Sequence, residues 1–390
     1  MGKRIGILTS GGDCPGLNMV IRTVVSHATL TYDWEVLGIP YATQGLLEHK
    51  AHILNLHGLD LHGIDPLLNM GGTILGSINK GDALAQAKQI LAGYQALELD
   101  ALIAIGGDGS LAILGELARQ GDWNLVAIPK TIDNDVAFTE RSVGFDTAVN
   151  TVTDALNRLT FTAASHDRVM VVEVMGRTAG HLALQSGIAG GADVILIPEI
   201  PYSLTKVCQH LKQTRDKWKR KFALIVVAEG AKTETGETSC YTDSLGEVRL
   251  RGIGQYITEQ IPACSIERVD TRLTILGHVQ RGGIPSAWDR IMAAAFGKAA
   301  VDLVAQAHFG RMVAWRNGQV VGVPLELVIS RSPTLVSLRS SLVQTARALG
   351  IYVGEEQFSR SGNGRLSPRS YSLLADPCAI NIIEESLSTS

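Results

Sequence analysis

The sequence is short of several things, and each shortage excludes a class of protein. No apolar run approaches the ~18 residues that a membrane-spanning helix needs, so no membrane partner is expected. There are five cysteines, Cys14, Cys208, Cys240, Cys264 and Cys378, and none forms a CxxC pair. That argues against a zinc site and predicts reduced thiols in a cytoplasmic protein. Neither sign of charge dominates: 35 basic and 38 acidic residues leave a net charge of −3. Nothing therefore favours nucleic acid or a lipid surface. The GK[ST] ending of a P-loop is missing, and so is the GxGxxG dinucleotide fingerprint. The opening MGKRIGILTSGG enters a strand pattern at once, which leaves no room for a signal peptide.

What is present is a large supply of core and of loops. Hydrophobic residues make up 45% of the chain and glycines number 41. A chain of 390 residues predicts two packed units. Continuous apolar runs at 4–8, 101–105, 125–128, 169–174, 194–198 and 222–228 read as strands covered on both faces. Helical patterns such as LAILGELARQ and NTVTDALNRL lie between them. This alternation predicts an α/β fold with parallel sheets, both halves using the same strand–loop–helix grammar. The polar segment 232–251 reads as an inserted surface loop or hairpin, and the Ser/Gly/Arg-rich segment 357–370 as an appendage.

Parallel sheets bind ligands at the carboxyl ends of their strands. Five strand ends here carry glycine or charge: Thr9-Ser10-Gly11-Gly12-Asp13, Gly106-Gly107-Asp108-Gly109-Ser110, PKTIDND at 129–135, Met175-Gly176-Arg177 and Glu229-Gly230. SGGDCPGLN offers free amides beside a helix start, an anion site, although a tight βα turn explains it equally well. GGDGS repeats the device with a carboxylate. Asp108 would repel bare phosphate, so a cation belongs between them, and Mg²⁺ prefers one or two carboxylates plus phosphate oxygens. PKTIDND adds Asp133 or Asp135 to take a proton from an attacking hydroxyl, and Lys130 to neutralise phosphate. Asx turn capping would explain one of those aspartates but not the whole cluster. Arg177 can stabilise charge on a transferring phosphoryl group. Arg272, His278 and Arg281 suit a sugar phosphate, although each alone would more often be a salt-bridge partner or a satisfied core histidine.

With these motifs in hand, the sequence resembles the 6-phosphofructokinase family over roughly residues 3–320. SGGDCPGLN, GGDGS, PKTIDND, GFDTA, EVMGRTAGH and LGHVQRGG occur in the family's order and approximate spacing. The resemblance implies two similar Rossmann-like three-layer α/β/α domains with mostly parallel sheets and an active site in the cleft between them. Residues 1–145 plus about 260–310 would bind nucleotide. Residues 146–259 plus about 311–345 would bind sugar phosphate, and 346–390 would form a C-terminal extension.

The implied reaction is transfer of the ATP γ-phosphate to the C1 hydroxyl of fructose 6-phosphate in glycolysis, with Mg²⁺. By position, Asp133 resembles the general base, with Thr131 and Arg177 as catalytic neighbours. Gly11, Lys80, Gly107, Asp108, Gly109 and Ser110 resemble the nucleotide cradle, and Asp108 the metal carboxylate. Thr131, Asp133, Asp135, Arg168, Met175, Gly176, Arg177, Glu229, Arg272, His278 and Arg281 resemble sugar-phosphate ligands. Arg168 and Arg272 would reach a neighbouring active site, which implies a homo-oligomer, a dimer or an allosteric homotetramer.

Gly109 and Lys130 bear on the phosphoryl donor and point in opposite directions. A small residue at 109 is typical of ATP users, because an Asp there would crowd and repel the α-phosphate. Lysine at 130 is typical of pyrophosphate users. Exclusion by bulk constrains more than an added attraction, so ATP is the expected donor. The Gly109/Lys130 combination resembles a mixed branch of the family with actinobacterial and cyanobacterial members. Asn79, where many bacterial ATP enzymes carry arginine, and Thr160 and Ser26, where basic effector ligands are usual, depart from the common pattern. The rival readings are a pyrophosphate-dependent phosphotransferase and a non-catalytic nucleotide-sensing subunit.

Overall fold

The computed structural model describes residues 2–55, 65–78, 83–233, 236, 240–242, 248–250, 252–264 and 269–354. Lys80, Asn79 and the segment 357–370 lie outside the described residues.

The first lobe runs Arg4–Thr9 (β1), Leu17–Tyr32 (α1), Glu35–Gly38 (β2), Thr43–Leu47 (α2), His52–Leu54 (β3), Ala87–Ala96 (α3), Ala101–Gly106 (β4), Asp108–Gly121 (α4) and Leu125–Pro129 (β5). The second lobe follows with Phe145–His166 (α5), Arg168–Val174 (β6), His181–Ala189 (α6), Val194–Leu196 (β7), Leu204–Trp218 (α7) and Ala223–Ala228 (β8). An antiparallel pair, Cys240–Thr242 (β9) with Val248–Leu250 (β10), occupies the expected insertion. Ile253–Cys264 (α8), Asp270–Ile275 (β11) and a 3₁₀ turn, Gly277–Arg281, come next. Ala287–Ala305 (α9), Arg311–Arg316 (β12), Gln319–Pro324 (β13), Leu325–Arg331 (α10) and Ser341–Ala348 (α11) complete the described chain.

The fold is α/β with mostly parallel sheets. One seven-stranded sheet has the order β13-β12-β5-β4-β1-β2-β3, and one four-stranded sheet the order β11-β6-β8-β7. β4 and β8 are buried at every position, which is why they read as unbroken apolar runs. In α4 the buried side chains are Leu111, Leu114 and Leu117, one stripe at helical spacing. Asp108 in its first turn is favoured by the helix dipole. One core cluster includes Ile5 and Ile103 of the large sheet and Val172 and Val226 of the small one, so apolar packing is continuous between the lobes.

Two expectations change. Strand β11, expected with the first lobe, pairs with β6 (Asp270 opposite Arg168), and β12, expected with the second, pairs with β5 (Arg311 opposite Val126). The chain crosses between lobes after β5 and after β11, and returns to the second lobe with α11, where Tyr352 bridges to Val194 of β7. Cys208, expected as a reduced thiol, is disulfide-bonded. Cys14 is free and buried, and burial pushes its thiol up to about 12, which makes it inert.

Candidate active site

Three strand ends of the large sheet meet two of the small one. The cleft between them has a volume of about 230 Å³. Ser10, Gly11 and Gly12 follow β1; Gly107, Asp108, Gly109 and Ser110 follow β4; Lys130, Thr131 and Asp133 follow β5. Arg177 follows β6, and Arg281 ends the 3₁₀ turn after β11.

Glycine is required at the first loop. Gly11 has φ +82°, and a Cβ there would lie 2.8 Å from the Ser110 hydroxyl and 3.1 Å from Lys130 Nζ. A Cβ at Gly12 would lie 2.6 Å from Arg281 Nη1. These contacts draw four segments of the chain to one point. At Gly109 the situation is reversed: an added Cβ would meet nothing within 4 Å. Gly109 is exposed on the cleft side, and no protein atom crowds it.

The PKTIDND segment is fixed by its own backbone. Lys130 N–H donates to Gly106 O (3.0 Å) and Thr131 N–H to Val143 O (3.2 Å). Thr131 Oγ1 accepts from Asp133 N–H at 3.0 Å. Asn134 sits at φ 52°, and its side chain accepts from Ser142 N–H and donates to Glu140 O, which holds the turn between the two aspartates.

Asp133 and Asp135 are buried, and one oxygen of each lacks a hydrogen-bond partner. Native structures seldom leave such atoms unpaired, and the Asp133 oxygen lies in the cleft lining, whereas Asp135 stands behind it. Burial raises the Asp133 carboxyl; Arg281 and Arg177 oppose it. Burial, reinforced by Asp133 and Asp108, lifts Asp135 to about 7. Burial drags the Lys130 ammonium down to about 8. Shifts of this size, with named charge partners in a cleft, mark a candidate catalytic site.

Across the cleft, Arg177 occupies left-handed backbone at φ 47°, a strained conformation that surrounding bonds must hold. Glu229 Oε1 accepts from Arg177 N–H (3.0 Å) and Gly176 N–H (3.3 Å). Met175 N–H donates to Gln280 Oε1 at 3.2 Å. Glu229 thus braces the loop that presents Arg177.

The cleft gathers Gly11, Gly107, Asp108, Gly109, Ser110, Lys130, Thr131, Asp133, Arg177 and Arg281, while Met175, Gly176 and Glu229 stand behind it through the bonds just described. Arg168 and Arg272 do not join it. Both pair with Asp270 near the start of β11, Arg168 Nε at 2.7 Å. His278 is exposed on the 3₁₀ turn. Thr43, Ile78, Ile113 and Leu114 line the cleft without having been expected. Only Ile113 and Leu114 had a signal, as the next helical turn after GGDGS.

Among the described residues no group of three or more His, Cys, Asp or Glu could enclose a metal. Asp108 and Asp133, which both line the cleft, nevertheless suit Mg²⁺, which keeps waters and phosphate oxygens and takes only one or two carboxylates.

A family model described as Phosphofructokinase matches residues 4–304. The chain belongs to the phosphofructokinase family. It is 69% identical over 362 residues to ATP-dependent 6-phosphofructokinase 2 of Nostoc sp., covering 91% of this chain and all of that one. It is 62% identical over 354 residues to the ATP-dependent 6-phosphofructokinase of Thermosynechococcus vestitus, covering 91% and 94%. Among solved structures, phosphofructokinase of Pichia pastoris in the T-state aligns with a TM-score of 0.73 at 29% identity. That alignment covers 90% of this chain and 37% of the longer yeast chain. Among the described residues no helix is long and apolar enough to cross a membrane.

Proposed function

We propose that the protein is an ATP-dependent 6-phosphofructokinase, transferring the γ-phosphate of ATP to the C1 hydroxyl of fructose 6-phosphate. One observation carries the reading: the buried carboxylate of Asp133, one oxygen of which has no hydrogen-bond partner, shares a cleft with glycine-lined amides and with Arg177. Asp133 accepts the proton of the sugar hydroxyl as it attacks. The loops at Gly11 and 107–110 receive the phosphate chain, and Lys130 and Arg177 balance charge spread over the transferring group. Asp108, with Asp133 and Asp135 nearby, would hold Mg²⁺, which neutralises phosphate charge when bound. Thr131 fixes the Asp133 loop through its hydroxyl.

ATP is favoured over pyrophosphate by two features. No protein atom crowds Gly109, so nothing there bars a nucleotide, and Ile78, Ala83, Ile113 and Leu114 provide an apolar wall that bare pyrophosphate cannot use. The names of the cyanobacterial relatives agree. Pyrophosphate is the second reading, and the buried Lys130 is what favours it.

Arg281 and His278 serve the sugar phosphate from this chain. Arg168 and Arg272 serve it in a second copy, so the working form is a homo-oligomer. The second lobe, carrying β6, β8 and β11, is the sugar-phosphate lobe. The test is an assay of purified protein with fructose 6-phosphate, Mg²⁺ and each donor separately, scoring fructose 1,6-bisphosphate. Turnover with ATP is expected. Turnover with pyrophosphate alone would reverse the donor, and turnover with neither would remove the kinase reading.

A further inference from the structure

Beyond the cleft lining, one half-buried carboxylate has a partnership that catalysis does not explain. Glu199, just after β7, places Oε1 between two backbone donors from distant segments: Gly180 N–H at 2.8 Å and Val336 N–H at 2.9 Å. Its other oxygen is buried and has no partner. Gly180 closes the loop that began at Met175 and carries Arg177, and it caps the start of α6. Val336 belongs to the stretch 332–340 between α10 and α11, and its side chain lies in the core.

The same stretch also grips the loop of the proposed base. Ser332 Oγ accepts from Ala137 N–H at 2.9 Å, and Thr334 N–H donates to Asp135 O at 2.6 Å. On the other side His181 Nε2 lies 3.1 Å from Thr334 O. Residues 332–336 therefore form a strap. One end holds the 135–137 backbone of the first lobe, and the other is fastened, through Glu199 and His181, to the Arg177 loop of the second. Pro198 abuts the site where Gly230 meets Arg177 O: a Cβ at Gly230 would lie 1.7 Å from that oxygen and 3.3 Å from Pro198 Cγ. The Arg177 loop is thus clamped in front by Glu229 and behind by Glu199.

We propose that Glu199 is a positioning residue for phosphoryl transfer, joining the Arg177 loop to the 332–336 strap so that Arg177 and Asp133 keep their spacing across the lobes. This rests on the kinase reading. Glu199 is not part of the cleft lining; it acts through the amides of Gly180 and Val336. A small misplacement of such groups costs far more in rate than in stability, because geometry at the reacting atoms is demanding.

Full-length Glu199→Ala, Glu199→Gln and Ser332→Ala proteins are compared with wild type in two ways. The first is steady-state kinetics with fructose 6-phosphate and MgATP; the second is amide hydrogen exchange of the protein alone. Glu199→Ala should lower kcat about 30-fold while KM for either substrate stays within about threefold. Glu199→Gln, whose carbonyl oxygen still accepts both N–H groups, should keep kcat within about threefold. Exchange at the 135–137 amides, in the opposite lobe, should rise about tenfold in Glu199→Ala, and exchange at Gly180 should rise in Ser332→Ala. Unchanged kcat in Glu199→Ala overturns the proposal. So does a lower melting temperature with the first-lobe amides still protected. If Glu199→Ala fails to fold, Ser332→Ala decides, since it removes a single hydroxyl. The exchange experiment needs no turnover: an inactive wild type refutes the kinase reading, while the amides still report on the strap.

Discussion

Asp133 Oδ2 and Arg177 Nε stand 4.0 Å apart, one at the end of a strand in the large sheet and the other at the end of a strand in the small sheet. Asp133 is almost fully buried, whereas the Arg177 side chain is 57% exposed. The pair is therefore not a structural salt bridge. The geometry is loose, the arginine is free to turn toward an incoming phosphoryl group, and the carboxylate keeps one oxygen for a hydroxyl proton.

Asp133→Asn follows directly. It keeps the shape and removes the base, so kcat with fructose 6-phosphate and MgATP should fall by about 10³-fold or more while KM for the sugar changes little. Neutralising a buried carboxylate with one unbonded oxygen and only a loose contact to Arg177 should leave the melting temperature equal or higher. Initial-rate kinetics beside a thermal melt check both halves. A variant with near wild-type kcat would cancel the assignment.

Gly109→Asp tests the donor. Its added Cβ meets no protein atom, and an acid in the first turn of α4 suits the helix dipole, so the fold should be intact. The new carboxylate would occupy the space left for the nucleotide. The kcat/KM for ATP should drop about 100-fold, while use of pyrophosphate is retained or gained. Parallel assays with the two donors read this out, and undiminished ATP use would contradict the cradle.

The reach of the sequence is visible in these residues. Asp133, Asp108 and Arg177 were legible because a polar cluster straight after an unbroken apolar run has few structural uses. The strand pairing of 270–275 and 311–324 was not. DTRLTI and RMVAWR carry mixed polarity, and the choice of sheet depends on an edge formed more than 100 residues earlier. Thr43 and Ile78 bear no distinctive chemistry, so only the folded chain brings them to the cleft. Glu199 lies just past the apolar run 194–198 and carries no motif of its own. Its partners, Gly180 and Val336, are backbone amides, which sequence never distinguishes.

Asp135 gives a pH dependence whose sign is fixed. The fold holds its proton up to about pH 7, whereas an unfolded chain releases it near 3.9. Between these values the folded state binds more protons, so stability is full below about pH 4 and falls as pH rises toward 7. Asp135→Asn removes that slope. Urea unfolding without Mg²⁺ should show the variant gaining on wild type from pH 4 to 7, by about 4 kcal/mol at most, then a constant difference. Lys130 acts at higher pH. Its proton leaves at about 8 in the fold, so stability recovers as pH rises from 8 toward 10.4 in both proteins. A pH-independent difference between variant and wild type would refute the Asp135 shift.

Asp289 offers the clearest stability prediction. It is fully buried on α9, yet its carboxylate serves the start of α5, accepting from Gly144 N–H at 2.9 Å, from Thr147 N–H at 2.8 Å and from the Thr147 hydroxyl. Those amides have no partner within their own helix. Gly144 stands at φ +96°, so the turn into α5 relies on this brace. Burial raises the carboxyl, and the bonds from Thr147 and Gly144 oppose the rise. Asp289→Ala strands three buried donors and should cost about 3–5 kcal/mol, roughly one for each lost charge-assisted bond and its desolvation. Asp289→Asn keeps one acceptor but turns an NH₂ group toward donors, so it should recover only part of that loss. Denaturant melts of the two variants give the comparison, and an Ala variant within about 1 kcal/mol of wild type would show that α5 starts without help from α9.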